Sequence, residues 1–407
     1  MRDVIALRVV VLSVGAGLGV FFPFLSVILR ERGFDDGSIG FTIAVGAVAF
    51  TIAVPLWGHL ADVLLGRTRA LAASAVGAAF TVLLINAPVP ALFVAACVVG
   101  YYFFESAWQP LADALTVNAV ADQSRDYARI RLLASFSFAA VSIAAGQLFN
   151  QTGYAPAPFL FAVCAGVVAA AALLAPDVER ADLAEQAVRA APEAPREGRQ
   201  TWSFGSTGVA FRVAPRLALV LGGVALVHFG IIGGFTFLPL RIESLGGSAG
   251  DVALLAGLSA AAEIPAMLLA GRVATRIGLR GMFVGSALLY AACLASWTVL
   301  DTPTLLIATR LVTGVSFAGL VVSVVLTIGA LLPPSLQGTG QALYQTIGFG
   351  VAAIGANAIG GVIYGSLGHA PFFGLGAILA VLAAAVGWIA VPGRAGPAPE
   401  RAIARVG

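Results

Sequence analysis

Apolar runs long enough to cross a bilayer recur along nearly the whole chain, and this recurrence excludes most folds before any single residue is weighed. A hydrocarbon core about 30 Å thick takes about 20 apolar residues of α-helix, and a helix satisfies its own backbone groups where water is absent. Twelve such runs are readable, at residues 5–29, 38–60, 70–87, 91–118, 131–150, 156–175, 215–240, 250–271, 281–299, 303–332, 336–366 and 370–391. Composition agrees, since 59% of the 407 residues are hydrophobic and 11% are charged, against about 25% charged in soluble domains. The expected fold is an all-α membrane protein with twelve transmembrane helices in two pseudo-symmetric six-helix bundles. These are residues 1–175 and 215–391, joined by a charged cytoplasmic linker at 176–214 and followed by a cytoplasmic tail at 392–407.

Short breakers, Asp35-Asp36-Gly37, Pro88-Val89-Pro90, Asp301-Thr302-Pro303 and Pro333-Pro334, separate neighbouring runs and set successive helices antiparallel. The first run begins near Ile5 with no small-residue cleavage site, so it reads as a retained helix. All 23 basic residues are Arg, and with a cytoplasmic N-terminus only Arg30, Arg32 and Arg241 fall outside. That asymmetry is the orientation signal of a multi-pass protein of the cell inner (plasma) membrane with both termini in the cytoplasm, rather than a nucleic-acid patch. Cys97, Cys164 and Cys293 lie singly within apolar spans, a spacing that suits neither a disulfide framework nor a zinc site. No nucleophile elbow, phosphate loop or His/Asp/Glu cluster is present. The chain therefore reads as a non-enzyme with no catalytic residues, metal or cofactor. The expected partners of this monomer are the bilayer, a small-molecule solute and protons.

An internal repeat supports two related halves. The second run ends in Gly58-His59-Leu60-Ala61-Asp62 followed by Gly66-Arg67-Thr68-Arg69, and the eighth in Gly271-Arg272-Val273-Ala274-Thr275-Arg276-Ile277-Gly278-Leu279-Arg280. One extra residue separates Asp62 from Gly66, and Thr275 stands in place of the acid in the second copy. These loops resemble the signature loop of the major facilitator superfamily. The resemblance implies a gating set of Gly58, Asp62, Gly66, Arg67 and Arg69. In it Gly58 lets helices approach closely, and Asp62 caps a helix or pairs with an arginine.

Within that superfamily, Pro110-Leu111-Ala112-Asp113-Ala114-Leu115, Tyr127-Ala128-Arg129-Ile130-Arg131-Leu132 and Gly340-Gln341-Ala342-Leu343-Tyr344 resemble the phenylpropionate permease and oligosaccharide:proton symporter subgroup. This resemblance implies substrate contact by Asp113 and Arg131. Arg310 stands where the related lactose permease has a lysine, with Thr313 and Ser316 where it has its histidine and glutamate. Proton coupling must then use other groups.

An ionisable side chain inside a span costs several kcal/mol unless it meets a partner or an aqueous cavity, and the candidates are Glu105, Asp113, Arg131, His228, Glu263 and Arg310. Glu105 reads as a proton carrier, a substrate contact or a partner of Arg310, with Trp108 and Gln109 one turn away on the same broad stripe. Glu263, beside Pro265, is the competing proton site, and His228 is a possible relay. Asp113, Arg131, Glu105, Trp108, Arg310 and Tyr344 form the expected substrate set. The expected function is secondary active transport of a sugar, nucleoside or aromatic carboxylate by alternating access, as proton-coupled symport. Proton-coupled efflux of sugars or drugs is the alternative, and a non-transporting receptor the remote one.

Overall fold

The computed structural model describes residues 2–119, 125–175 and 204–393, which are helical almost throughout and contain no strand. Helix α1 runs from Arg2–Phe21, tightens into a 3-10 turn at Phe22–Phe24 and continues as Leu25–Glu31. Pro23 lies in that turn, where its missing N–H breaks the α-helical ladder. Next come α2 (Asp36–Leu60, ending in a π-turn at Ala61–Leu65), α3 (Arg67–Ile85), α4 (Ala91–Glu105 and Trp108–Ala119), α5 (Arg125–Thr152) and α6 (Ala157–Leu174). Most of the expected linker, 176–203, and the tail from 394 lie outside the described residues; a short helix, Phe204–Val213, occupies the end of the linker.

Helix α7 follows at Arg216–Ser244. The continuous run Ala249–Ser296 is two helices, because Gly278 at φ 76°, ψ 167° is not helical. It divides the run into α8 (249–277) and α9 (279–296). The last three are α10 (Pro303–Leu331), α11 (Pro334–Gln345, a π-turn at Thr346–Val351, then Ala352–Leu367) and α12 (His369–Ala390). Twelve membrane-length helices thus stand, among the described residues, where the apolar runs predict them. Exposed side chains such as Phe41, Leu92, Phe159 and Val362 on these helices suit a lipid surrounding.

Local chemistry starts the second helix of each half in related ways. Asp35 accepts hydrogen bonds from the Ser38 amide (2.9 Å) and hydroxyl (2.8 Å) and so caps α2. Those bonds hold its carboxyl below the usual carboxylate range. At α8, Ser248 and Asp251 cap each other: the Ser248 amide donates to Asp251 Oδ2 (2.8 Å) and the Asp251 amide to Ser248 Oγ (3.2 Å).

The chain divides into two compact units, Met1–Pro195 with Gly246–Ala260, and Arg196–Leu245 with Ala261–Gly407. In the first unit α1 packs against α5 and α6. A Cβ at Gly19 would stand 3.1 Å from Phe138 Cα, so only glycine permits this approach of α1 to α5. Further along, α5 seats the first turns of α8. Ile143 leaves only 2.7 Å for a Cβ at Gly257, and Asn150 Oδ1 accepts the Gly250 amide at 2.8 Å. In the second unit α7 packs on α12 and α11. Thr236 donates to Asn357 Oδ1 at 2.7 Å, and Asn357 Nδ2 donates to the Ala353 carbonyl at 2.8 Å, a buried polar tie between α7 and α11.

The two repeat loops share a backbone. Gly66 (φ 78°, ψ 157°) and Gly278 (φ 76°, ψ 167°) occupy the same glycine-only conformation. The extra residue of the first copy is absorbed upstream. Gly66 follows Gly58 by eight positions whereas Gly278 follows Gly271 by seven, and the π-turn at Ala61–Leu65 takes up the difference by winding one more residue into a turn. One expectation for this loop is corrected: nothing lies within 4 Å of a Cβ at Gly58, so it does not serve close helix approach. Of the two roles expected for Asp62 the structure shows the second: Gly66 occupies the N-cap of α3, and Asp62 faces Arg67 at 3.8 Å in a partly exposed pair worth little in isolation. Arg69 is exposed.

Gly278→Ala is expected to destabilise the detergent-solubilised protein by about 1–3 kcal/mol, because its Cβ would also meet the Gly393 carbonyl. Gly58→Ala, inside a helix with open space around it, is expected to melt no lower than the wild type, and a melting series on both variants checks the contrast. Deleting Val63, which is 62% exposed, should convert the π-turn to plain helix with the protein still monodisperse on size-exclusion chromatography. Loss of folded protein on that deletion would contradict the one-residue insertion.

Candidate functional site

In the first unit the site grows from a break in α4. The helix stops at Glu105, turns through Ser106–Ala107 and restarts at Trp108. The carbonyl of Phe103 that the break affects is taken by the Trp57 indole N–H (3.0 Å) and the Ser106 hydroxyl (2.8 Å), so the interruption is held by side chains from two helices. The turn interrupts the helix between Glu105 and the Trp108–Gln109 pair of the expected stripe. Trp108 is fully buried and stacks on Phe161 with ring centroids 5.3 Å apart and planes 9° apart. Gln109 turns along the helix to donate to Asp113 Oδ1 at 2.9 Å.

Glu105 is 9% exposed, beside Tyr101 and Tyr102. Among the described residues no cation forms an ion pair with it. Tyr101 packs edge-on against Phe21 (5.1 Å) and Phe161 (5.5 Å). Two ring groups here are buried with no hydrogen-bond partner, Tyr101 Oη and Trp108 Nε1. Gly17 on α1 makes room for the indole, since a Cβ would stand 2.9 Å from its Cζ3. Asp113 is half-buried two turns beyond Glu105, and the side chain of Arg131 lies outside the described residues.

In the second unit Arg310 on α10 is 2% exposed. Its guanidinium carbon lies 5.2 Å from the Phe235 ring centre and 5.9 Å from that of Trp297, and Tyr290 is hydrogen-bonded to it. Trp297 is fixed in turn by its N–H to Thr309 Oγ1 at 2.8 Å. This is a cation clamped between aromatic faces, a use to which a planar guanidinium is suited. Thr313 and Ser316 donate to the carbonyls of Arg310 (3.1 Å) and Ser286 (2.6 Å).

His228 on α7 is wholly buried. Its Nδ1 sits 3.0 Å from the Val224 carbonyl, and its ring is surrounded by Phe349 (5.0 Å), Tyr344 (5.9 Å) and Phe317 (6.4 Å). Glu263 on α8 is half-buried and close enough to Tyr344 to interact electrostatically with its hydroxyl. The structure therefore places Glu105 against Tyr101 and, through the Tyr101 and Phe161 rings, in one aromatic cluster with Trp108; His228 and Tyr344 with Glu263 nearby form another, and Arg310 a third. Phe161, Tyr290, Trp297 and Phe349 were not singled out by sequence reasoning. The glycine pair Gly348 and Gly350 inside an apolar helix was the available cue to the π-turn beside Phe349.

A family model described as MFS_1 like family matches residues 4–375. Maltose permease of Geobacillus stearothermophilus is 29% identical over 359 residues, covering 85% of this chain and 84% of the permease. Among solved structures, the nucleoside transporter NupG superposes with a TM-score of 0.76 at 16% identity, over 96% of this chain and 99% of its own. A D-xylose-proton symporter gives 0.67 at 15% identity, over 96% and 98%. At these identities the two structures establish a shared fold.

Arg310→Lys keeps the charge but loses the flat face stacked on Phe235 and Trp297. It is expected to lower stability by about 0.5–2 kcal/mol, read as a lower melting temperature. A melting curve equal to the wild type's would mean that the rings do not hold the guanidinium.

Proposed function

The chain belongs to the MFS_1 like family of major facilitator transporters, and from that premise we propose that it imports a small hydroxylated solute of the sugar or nucleoside type, driven by the proton gradient. The observation that carries the coupling is Glu105, buried in the first unit with no cation paired to it among the described residues. A carboxylate so placed is tolerated only when a proton or a ligand neutralises it. An acid that takes its proton from one aqueous side and releases it to the other ties solute movement to the gradient. Its surroundings suit the task, because Tyr101 beside it, and Trp108 joined to Tyr101 through the Phe161 ring, each carry a buried polar ring atom with no partner among the described residues.

The solute class is supported by relatives named for maltose, nucleosides and D-xylose. In this reading Asp113 with Arg131, Trp108, Arg310 and Tyr344 meet the solute, and Glu263 is the acid of the second unit. The expected bundles, 1–175 and 215–391, alternate access across the cell inner membrane in a monomer with cytoplasmic termini, an orientation supported by the arginine asymmetry.

The test uses purified protein in liposomes, with an acidic exterior and labelled maltose or uridine outside. Glu105→Gln is expected to lose accumulation against the solute gradient by at least about tenfold while still exchanging solute at equal concentrations. If that variant still concentrates solute when the pH gradient is imposed, Glu105 is not the proton carrier.

A further inference from the structure

The cluster around His228 contains a matched pair of unused hydrogen-bonding groups. A carbonyl oxygen only accepts, so the 3.0 Å contact with Val224 assigns the proton of the neutral imidazole to Nδ1. Nε2 on the opposite edge is then a bare acceptor, and it is buried with no partner. Tyr344 Oη, which has a proton to donate, is likewise buried with no partner. Both rings belong to one cage, with the Tyr344 and Phe349 centroids 5.8 Å apart and those of Phe317 and Phe349 6.3 Å apart.

The cage exists because of the π-turn at Thr346–Val351. On a plain α-helix, residues five apart such as Tyr344 and Phe349 point about 140° away from each other. A π-turn closes its hydrogen bond from i to i+5 and so turns less per residue, which rotates Phe349 back toward the face of Tyr344, and both rings contact His228. Gly348 lets this turn lie against α7, since a Cβ would stand 3.0 Å from Val224 Cγ1 and 3.5 Å from His228 Cδ2. π-turns inside α-helices are frequent at functional sites.

We propose that this cage is a subsite for one hydroxyl group of the transported solute, which donates to His228 Nε2 and accepts from Tyr344 Oη while the surrounding rings cover its apolar ring carbons. The inference rests on the transport reading above and assigns His228 a different part from that of a proton relay. A hydroxyl, with one proton to donate and lone pairs to accept, answers both atoms at once. A carboxylate has no proton for Nε2 and an ammonium has no lone pair for Tyr344, so the cage favours sugars and nucleosides over aromatic acids.

Binding of maltose, uridine and 3-phenylpropionate to the purified wild type, Tyr344→Phe and His228→Phe, by calorimetry alongside thermal melting, tests this. Maltose or uridine should bind the wild type and lose about tenfold in affinity in each variant, equivalent to 1.4 kcal/mol, and 3-phenylpropionate should show no such loss. The ligand-free Tyr344→Phe protein should melt no lower than the wild type, because removing a buried hydroxyl with no partner relieves a desolvation cost. Unchanged affinity in both variants, or a clear drop in the ligand-free melting temperature of Tyr344→Phe, would overturn the cage while leaving the transport reading intact. A wild type that neither binds maltose or uridine nor accumulates them under a pH gradient would overturn both.

Discussion

Water is absent from the interior of a bilayer, so each polar group carried into a span has to be answered within the protein. Most hydroxyls here are answered locally, by a carbonyl of their own helix: Ser74 by Leu71, Thr116 by Ala112, Ser137 by Ala134 and Ser323 by Leu320. A few reach across to another helix, as Thr236 does to Asn357 and Ser316 to Ser286. Against that background the ring groups left without partners are informative, because they are concentrated in two places. Tyr101 Oη and Trp108 Nε1 accompany Glu105 in the first unit, and His228 Nε2 and Tyr344 Oη share a cage in the second. Unmet hydrogen bonds cost stability, and the two aromatic clusters each hold two of these ring atoms.

Helix irregularities fall at the same places. The α4 break at Ser106–Ala107 follows Glu105 directly, and the π-turn in α11 lies beside Tyr344 and contains Phe349. The break in α4 is held by Trp57 and Ser106, and the α11 π-turn is accommodated by a glycine facing α7. Such departures turn side chains to directions that a regular helix cannot offer. The π-turn in α2 has a different origin. It takes up a one-residue difference between the repeat loops, so Gly66 and Gly278 keep one conformation despite unequal spacing.

Much of the fold was legible because span length and hydropathy are local properties. The twelve runs, the breakers between them and the Gly66 and Gly278 loops could be read residue by residue, and α8 and α9 divide inside the repeat loop. The candidate ionisable residues were legible for the same reason, since a charge inside an apolar run is conspicuous. What was misread concerned direction and partner. The helix break separates Trp108 from Glu105, and what the Trp108 ring stacks on, Phe161, comes from another helix. Gly58 was read as a point of close approach, yet it faces open space, while Gly19 and Gly257 make such approaches in the first unit. The sequence pattern is the same for a glycine that faces a neighbouring helix and one that does not.

The amino-acid order alone determined that this chain crosses a membrane repeatedly in two related halves, because about 20 apolar residues in a row have no other stable home than lipid. It also determined which few charges must be answered inside, since each stands out against an apolar background. Only the tertiary structure decided what answers them. Arg310 meets the faces of Phe235 and Trp297, Tyr101 and Trp108 meet Phe161, and His228 meets Tyr344 and Phe349. Most of these partners come from different helices and several lie sixty or more positions apart in the chain. Their meeting depends on how closely glycines let backbones approach and on where a helix gains a residue per turn, which are properties of packing that no local pattern encodes.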